Sequence, residues 1–347
     1  MIRILLYILT CLITILLAGP VLLTLLVKPQ IDRWLTVNAP VEADVLILEG
    51  WTSPEITEQV VREFRNGSYK FLITTGGPLD KVYNMSSNGR IRFDLDAAGV
   101  DWSTGDTVSV SLFAYGEPAE GEYARYTIIR HGDTIGVGYT TGQMERFDYR
   151  FKVNEYPPDE ISVIYDNDFY TDREDRNLHI WKIEVAEVSI PVRSEFTRLI
   201  RGSGPDAFDR PLEQKTLSRE KAYRLTMAGI DSSRIVAVDV PHVRRLRTYT
   251  DAVMVNEWLR KNSEMPHAVN VFSQGKHARR SRLLYRYALP DSVQLGIIVP
   301  EAGNSIPQES SSAEGFTETL RELMAYIYTR TLFNSRWHYR RIVASVE

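Results

Sequence analysis

The chain of 347 residues carries 44% hydrophobic and 25% charged side chains, enough apolar material for a buried core and too much for bulk disorder. Its 41 Lys and Arg stand against 45 Asp and Glu, so the formal charge is −4 and no global field draws nucleic acid. A single cysteine, Cys11, and six scattered histidines exclude a disulfide framework and leave little for a transition-metal cage.

The first element in chain order is an uncharged apolar run over residues 4–27. At 1.5 Å per residue, about 24 such residues cross a hydrocarbon core of roughly 30 Å, so the run is expected to be a transmembrane helix. A cleaved signal peptide has a shorter apolar core, of about 7–15 residues. Arg3 on one side and Lys28 with Arg33 on the other do not encode an orientation. Residues 44–77 then read strand, helix, strand. DVLILEGW is an apolar run ending in Gly50. PEITEQVVREFRNG places Ile56, Val60, Val61 and Phe64 at helical spacing, and KFLITTGG closes on Gly76 and Gly77. Apolar strands joined through an amphipathic helix predict a parallel sheet covered on both faces.

From residue 80 to 188 the texture changes to short alternating runs separated by Gly, Asp, Asn and Pro, the pattern of an antiparallel β-sandwich. Past Pro191 helices and strands alternate again, up to a last helix near Thr317–Tyr328. The expected fold is therefore α/β: a Rossmann-like parallel sheet with an inserted antiparallel β-sandwich, preceded by one transmembrane helix. The expected boundaries are 4–27 for the span, 41–78 and 191–332 for the discontinuous α/β domain, and 79–190 for the sandwich. Loop closure costs grow only logarithmically with length, so an insertion of this size is tolerable.

Within the sandwich, ISVIY and LHIWKIEV bracket a loop bearing Asp166, Asn167, Asp168, Asp172, Glu174, Asp175 and Asn177. Six to eight oxygens from such side chains suit a hard cation, although a solvated turn whose carboxylates cap backbone groups has the same composition. DNDFY followed by DREDRNLHIWKIEV resembles the signature of calcium-dependent, xylan-binding-type carbohydrate-binding modules. That resemblance implies a bound Ca2+ whose open positions take vicinal sugar hydroxyls, with Asp168, Asp172, Asp175 and Asn177 as first candidates for ligands and Asp166 and Asn167 next. It also offers Phe169, Tyr170 or Trp181 as a ring on which a sugar stacks, Trp181 being equally a core residue of its strand.

In an open parallel sheet, ligands gather at the carboxyl ends of the strands. Those ends here carry Gly76 and Gly77, then Arg244 and Arg245, then Ser273 leading to His277 and Arg280. Guanidinium forks there suit a phosphate, and His277 is the one group of the set that titrates near neutrality, hence the candidate general acid or base. The order of these segments resembles the bacterial ElyC/SanA/YdcF-type domain of unknown function, an envelope-associated Rossmann-like fold often tethered by one span. Its histidine-arginine motif appears as Ser273 or Gln274, His277, Arg280 and Ser281. Where that family has Asn-Thr-x-Glu-Asn-Ala, this chain has Arg247-Thr248-Tyr249-Thr250-Asp251-Ala252.

Together these features lead to the expectation of a single-pass membrane protein with its bulk outside the cytoplasm, where calcium and polysaccharide are found. Its sandwich would hold polysaccharide, and its α/β domain would take a phosphorylated or lipid-linked sugar. The alternative is a non-catalytic carbohydrate-binding scaffold with a degenerate α/β pocket. The sequence leaves open whether the protein is an enzyme.

Overall fold

The computed structural model describes residues 27–101, 107–153, 158–202, 208–243, 245–300 and 313–344. All but the last residue of the expected span at 4–27 lies outside them, and among the described residues no helix is long and apolar enough to cross a membrane. The chain divides into two compact units, residues 79–215 and the remainder.

The α/β unit begins with a short helix, α1 (Lys28–Leu35), whose Pro29 sits in the first turn, where its missing N–H costs nothing. Strand β1 (Val45–Leu48) is wholly buried, as the apolar run requires. Helix α2 (Thr57–Asn66) buries Val60, Val61 and Phe64, the predicted stripe. Strand β2 (Phe71–Gly76) pairs parallel to β1 and completes the expected βαβ opening.

The second unit carries β3 (Tyr83–Met85), β4 (Gly89–Asp94), β5 (Thr107–Gly116), β6 (Arg125–Arg130), β7 (Asp133–Tyr139), β8 (Glu145–Lys152) and β9 (Glu160–Tyr165). A small hairpin of β10 (Phe169–Tyr170) and β11 (Asp175–Arg176) follows, then β12 (Leu178–Val185), β13 (Val188–Pro191), β14 (Thr197–Arg201) and β15 (Phe208–Pro211). One antiparallel sheet runs β13-β12-β5-β8, with β3 also beside β12; the other runs β15-β14-β4-β9-β6-β7. Period-two alternation sends Val110, Leu112 and Ala114 of β5 and Ile161, Val163 and Tyr165 of β9 into one core. A register shift between Ile180 and Lys182 leaves Trp181 out of that core, edge-on to Phe113.

The sandwich does not stop at residue 190. Residues 191–215, expected in the α/β domain, supply β14 against β4 and β15 against β14, and Leu199 and Leu212 complete the sandwich core. The α/β unit resumes at Thr216, where the side chain caps helix α3 (Leu217–Met227) by accepting from the Arg219 amide.

From there the order is β16 (Ile235–Asp239), α4 (Arg247–Lys261), β17 (Ala268–Phe272), α5 (Ala278–Ala288), β18 (Gln294–Ile298), α6 (Ala313–Thr331) and α7 (Ser335–Val343). Helix α7 extends the unit past the expected end at 332: Tyr249 of α4 donates to the Ser335 carbonyl, and Asn256 donates to the Tyr339 hydroxyl. The sheet is parallel throughout, in the order β16-β2-β1-β17-β18. This doubly wound order puts the topological switch point between β1 and β17, so the crevice beyond their carboxyl ends is where a ligand is expected.

Candidate functional site

Two places have site geometry, and the sandwich loop between β9 and β12 is the first. Arg176 organises it. This arginine is 6% exposed and donates to three backbone carbonyls: Glu122 (3.1 Å), Asn167 (2.8 Å) and Ala119 (2.5 Å). One guanidinium thus ties the 117–122 loop to the bend after β9, while its face lies over the Phe169 ring. Tyr165 donates to the Arg176 carbonyl and reinforces the same bend.

The six expected ligands separate into two groups around that frame. Asp166 is bound bidentately by Arg125, at 3.0 and 2.7 Å. Asn167 has both ends of its amide committed, accepting from the Arg125 N–H and donating to the Tyr123 carbonyl. Both side chains clamp the loop to the 123–125 strand entry. Asp172 lies exposed at the hairpin tip. Of the remaining three, Asp168 and Asp175 interact through their charges, and Asn177 faces Glu117. Burial, with the Asp175 carboxylate nearby, pushes Asp168 above the usual carboxylate range, and Tyr165 donates to Asp168 at 3.4 Å. Asn177 is buried; its Nδ2 donates to Glu117 at 2.7 Å, and its Oδ1 has no partner. Among the described residues no three Asp, Glu, His or Cys side chains gather closely enough to form a cage, so the six do not converge on a common centre as expected.

Sequence reasoning missed Glu117 and His179. Glu117 lies 3.4 Å from His179 Nε2, and His179 stacks flat on Tyr115 at 4.2 Å. Burial lowers the His179 pKa against the opposing pull of Glu117. The local oxygens nevertheless suit a hard cation. Two carboxylates, Asp168 and Asp175, repel each other, and a buried amide oxygen on Asn177 lacks the donor or cation that burial demands. Of the aromatics, Trp181 rests on Phe113 and Phe169 lies under Arg176. Tyr170 is 71% exposed and stands directly across the hairpin from Asp175, on the same face.

The second place is the α/β crevice at the switch point. Ser273 is buried, its hydroxyl 3.3 Å from that of Ser281, which donates to Glu49 at 3.1 Å. Glu49 is fully buried and leaves Oε1 unpartnered; burial raises its pKa against the hydrogen bonds from Ser273 and Ser281. Asp251 on α4 is pushed up to about 8, by burial first and the Glu49 charge second. The Tyr285 hydroxyl, also buried without a partner, senses both carboxylates.

Above them Trp51 sits edge-on to His277, at 4.6 Å between centroids, beside a cleft of about 460 Å³ lined by Gln274, Lys276 and Glu322. His277 Nδ1 is 2.7 Å from Glu322, and Nε2 is 2.7 Å from Arg280 Nη2. A guanidinium can only donate, so Nε2 accepts and Nδ1 carries the proton. Burial opposes ionisation of Glu322, but the hydrogen bonds from His277 and Arg280 outweigh it and hold the carboxyl below its usual range. The expected base and the expected anion fork therefore both engage an internal carboxylate, Arg280 through Nε and Nη2.

A Cβ on Gly76, where φ is +147°, would come within 2.5 Å of Leu217 Cβ, and the Gly77 carbonyl accepts from the Leu217 N–H. The bare Gly76 lets α3 dock on β2. Arg245 is exposed at the edge of another cleft, and Arg244 lies outside the described residues.

The Asp251 carboxyl makes a pH test of this crevice. The folded state keeps its proton up to about pH 8, whereas an unfolded chain releases it near 4. Between those values the folded state binds more protons, so stability falls as pH rises through that window. The urea midpoint is expected to drop between pH 5 and pH 8, and Asp251→Asn is expected to flatten that drop. An identical pH dependence in both chains contradicts the assignment.

Residues 107–197 match the family model of CBM60, a calcium-dependent, xylan-binding carbohydrate-binding module. No curated protein matches the chain. Among solved structures, a CBM60 module in complex with galactobiose is 16% identical, over 28% of this chain and 78% of its own, with a TM-score of 0.22. The CBM36-1 domain of a multidomain xylanase from the hindgut metagenome of Trinervitermes trinervoides is also 16% identical, over 30% of this chain and 83% of its own, with a TM-score of 0.19. A family two carbohydrate esterase from Cellvibrio japonicus is 10% identical over 73% of this chain and 98% of its own, with a TM-score of 0.18. The family match carries the conclusion: the sandwich contains a carbohydrate-binding module of the calcium-dependent type.

Proposed function

We propose that this protein holds a polysaccharide through a calcium ion at the β9–β12 end of its sandwich. Asp168, Asp175 and Asn177 would hold the ion. The carrying observation is the Asn177 Oδ1, a buried acceptor that no protein donor satisfies, on a side chain whose amide donates to the Glu117 carboxylate. A bound calcium ion supplies open coordination positions for vicinal hydroxyls. The chain itself supplies the rest: Arg176 fixes both loops, Tyr170 offers an exposed ring on the Asp175 face, and Asn177 keeps its amide oriented by donating to Glu117. Residues 4–27 would tether the molecule to a membrane, with its bulk outside the cytoplasm.

For the α/β unit, an ElyC/SanA/YdcF-type domain, the ligand in this reading is a phosphorylated or lipid-linked sugar. Exposed Arg245 and Arg247 support it. A specific observation favours the second reading, a non-catalytic scaffold: His277, Arg280 and Glu322 engage one another. A glycan array probed with the full chain, with and without chelator, tests the principal reading. Xylan-type or galactan-type glycans retained only with calcium are the expected result. Retention unaffected by chelator overturns it.

A further inference from the structure

Helix α6 is built inside out. Its buried positions include the polar Thr319, Glu322 and Thr329, while Leu320, Met324, Ile327, Tyr328 and Leu332 are exposed, Met324 at 64% and Leu332 at 73%. Those five fall at i, i+4, i+7, i+8 and i+12, which is one face of the helix. The polar positions explain how the other face is held: Thr319 donates to Asp32 of α1, and Glu322 takes Arg280 and His277. A water-facing helix reverses this distribution, and a contiguous apolar stripe of this kind marks a contact surface.

Charge and position identify the occupant. From Leu323 to Ala344 the sequence holds four arginines and no acid, although the whole chain is net negative. Trp337 is half exposed on α7 with Arg341 over its ring, and a cleft of about 790 Å³ opens between Tyr328 and Trp337, edged by Arg245 and Arg341. An apolar stripe, an aromatic rim and an arginine-rich, acid-free segment are the chemistry of an anionic lipid surface. Helix α1 gives the same direction. It follows directly on the apolar run 4–27 and is fastened to α6, with Trp34 edge-on to Tyr326 at 5.0 Å and Asp32 on Thr319.

We infer that the α6–α7 face lies in the interface of an anionic bilayer, so that the α/β unit is docked on the membrane and not merely tethered to it. This rests on the proposed tether and adds a surface to it. The test uses the full chain with Cys11→Ser, carrying a nitroxide at Leu332→Cys or, for comparison, at the equally exposed Met227→Cys of α3. It is reconstituted in phosphatidylcholine vesicles with roughly 30% phosphatidylglycerol. The label at 332 is expected to collide several-fold more with oxygen and several-fold less with a water-soluble nickel chelate than the label at 227. Arg336→Glu with Arg340→Glu and Arg341→Glu is expected to abolish that difference. Equal water access at 332 and 227 in chains that stay in the vesicles overturns the docking and leaves the tether standing. Protection at 332 that persists without any bilayer points to a second copy of the chain and also overturns it. A chain that does not float with vesicles overturns docking and tether together.

Discussion

Asp168→Asn and Asp175→Asn are each expected to weaken glycan binding at least about 100-fold, since loss of a partner one shell outside a metal already costs about 10–100-fold in affinity. Asp166→Asn is expected to leave binding within about twofold, because that carboxylate is held by Arg125 and its loss removes a half-exposed ion pair worth about 0–1 kcal/mol. The contrast is the point of the experiment. All three residues lie in one acidic loop, and only geometry separates them. Equal losses at 166, 168 and 175, read by affinity electrophoresis on soluble xylan, contradict the assignment.

Arg176→Met is expected to have the largest effect on stability. The side chain fits the space, but the Glu122 and Asn167 carbonyls lose their donor, while the Ala119 carbonyl keeps the Glu122 N–H. Both carbonyls are only part-buried and water can meet them in part, so a loss of about 1–2 kcal/mol in the sandwich transition is expected by urea unfolding. Because the same arginine holds the loops carrying Glu117 and Asp168, calcium affinity falls with it. A loss below about 1 kcal/mol contradicts the bracing role.

The parts of the fold that local pattern dictates were legible. β1, α2 and β2 follow from apolar runs and a helical stripe, and the sandwich strands from alternation between turn residues. Where local pattern is weak, it misleads. TRLIR and FDRP are too short to announce themselves beside Pro191, yet their pairing with β4 moves the boundary by 25 residues. SRWHYRRIV, beyond the expected domain end at 332, is held by Tyr339 against Asn256 and Glu257.

The site divides in the same way. Composition located the acidic loop but could not rank its oxygens, because the groups that commit them are distant in sequence. Arg125 is 41 residues from Asp166, and Glu117 is 60 from Asn177. In the α/β crevice the strand-end rule led to His277, Ser273 and Arg280, but Glu322, which engages two of them, comes from a helix 42 residues beyond Arg280. Gly76 marks a real packing constraint, the close approach of α3.

A calorimetric calcium titration of the full chain reads the central claim most directly. One bound ion per chain, with the heat abolished in the Asp168→Asn, Asp175→Asn double variant and retained in Asp166→Asn, is the expected result. No heat in the wild-type chain, together with an unfolding transition indifferent to chelator, contradicts it.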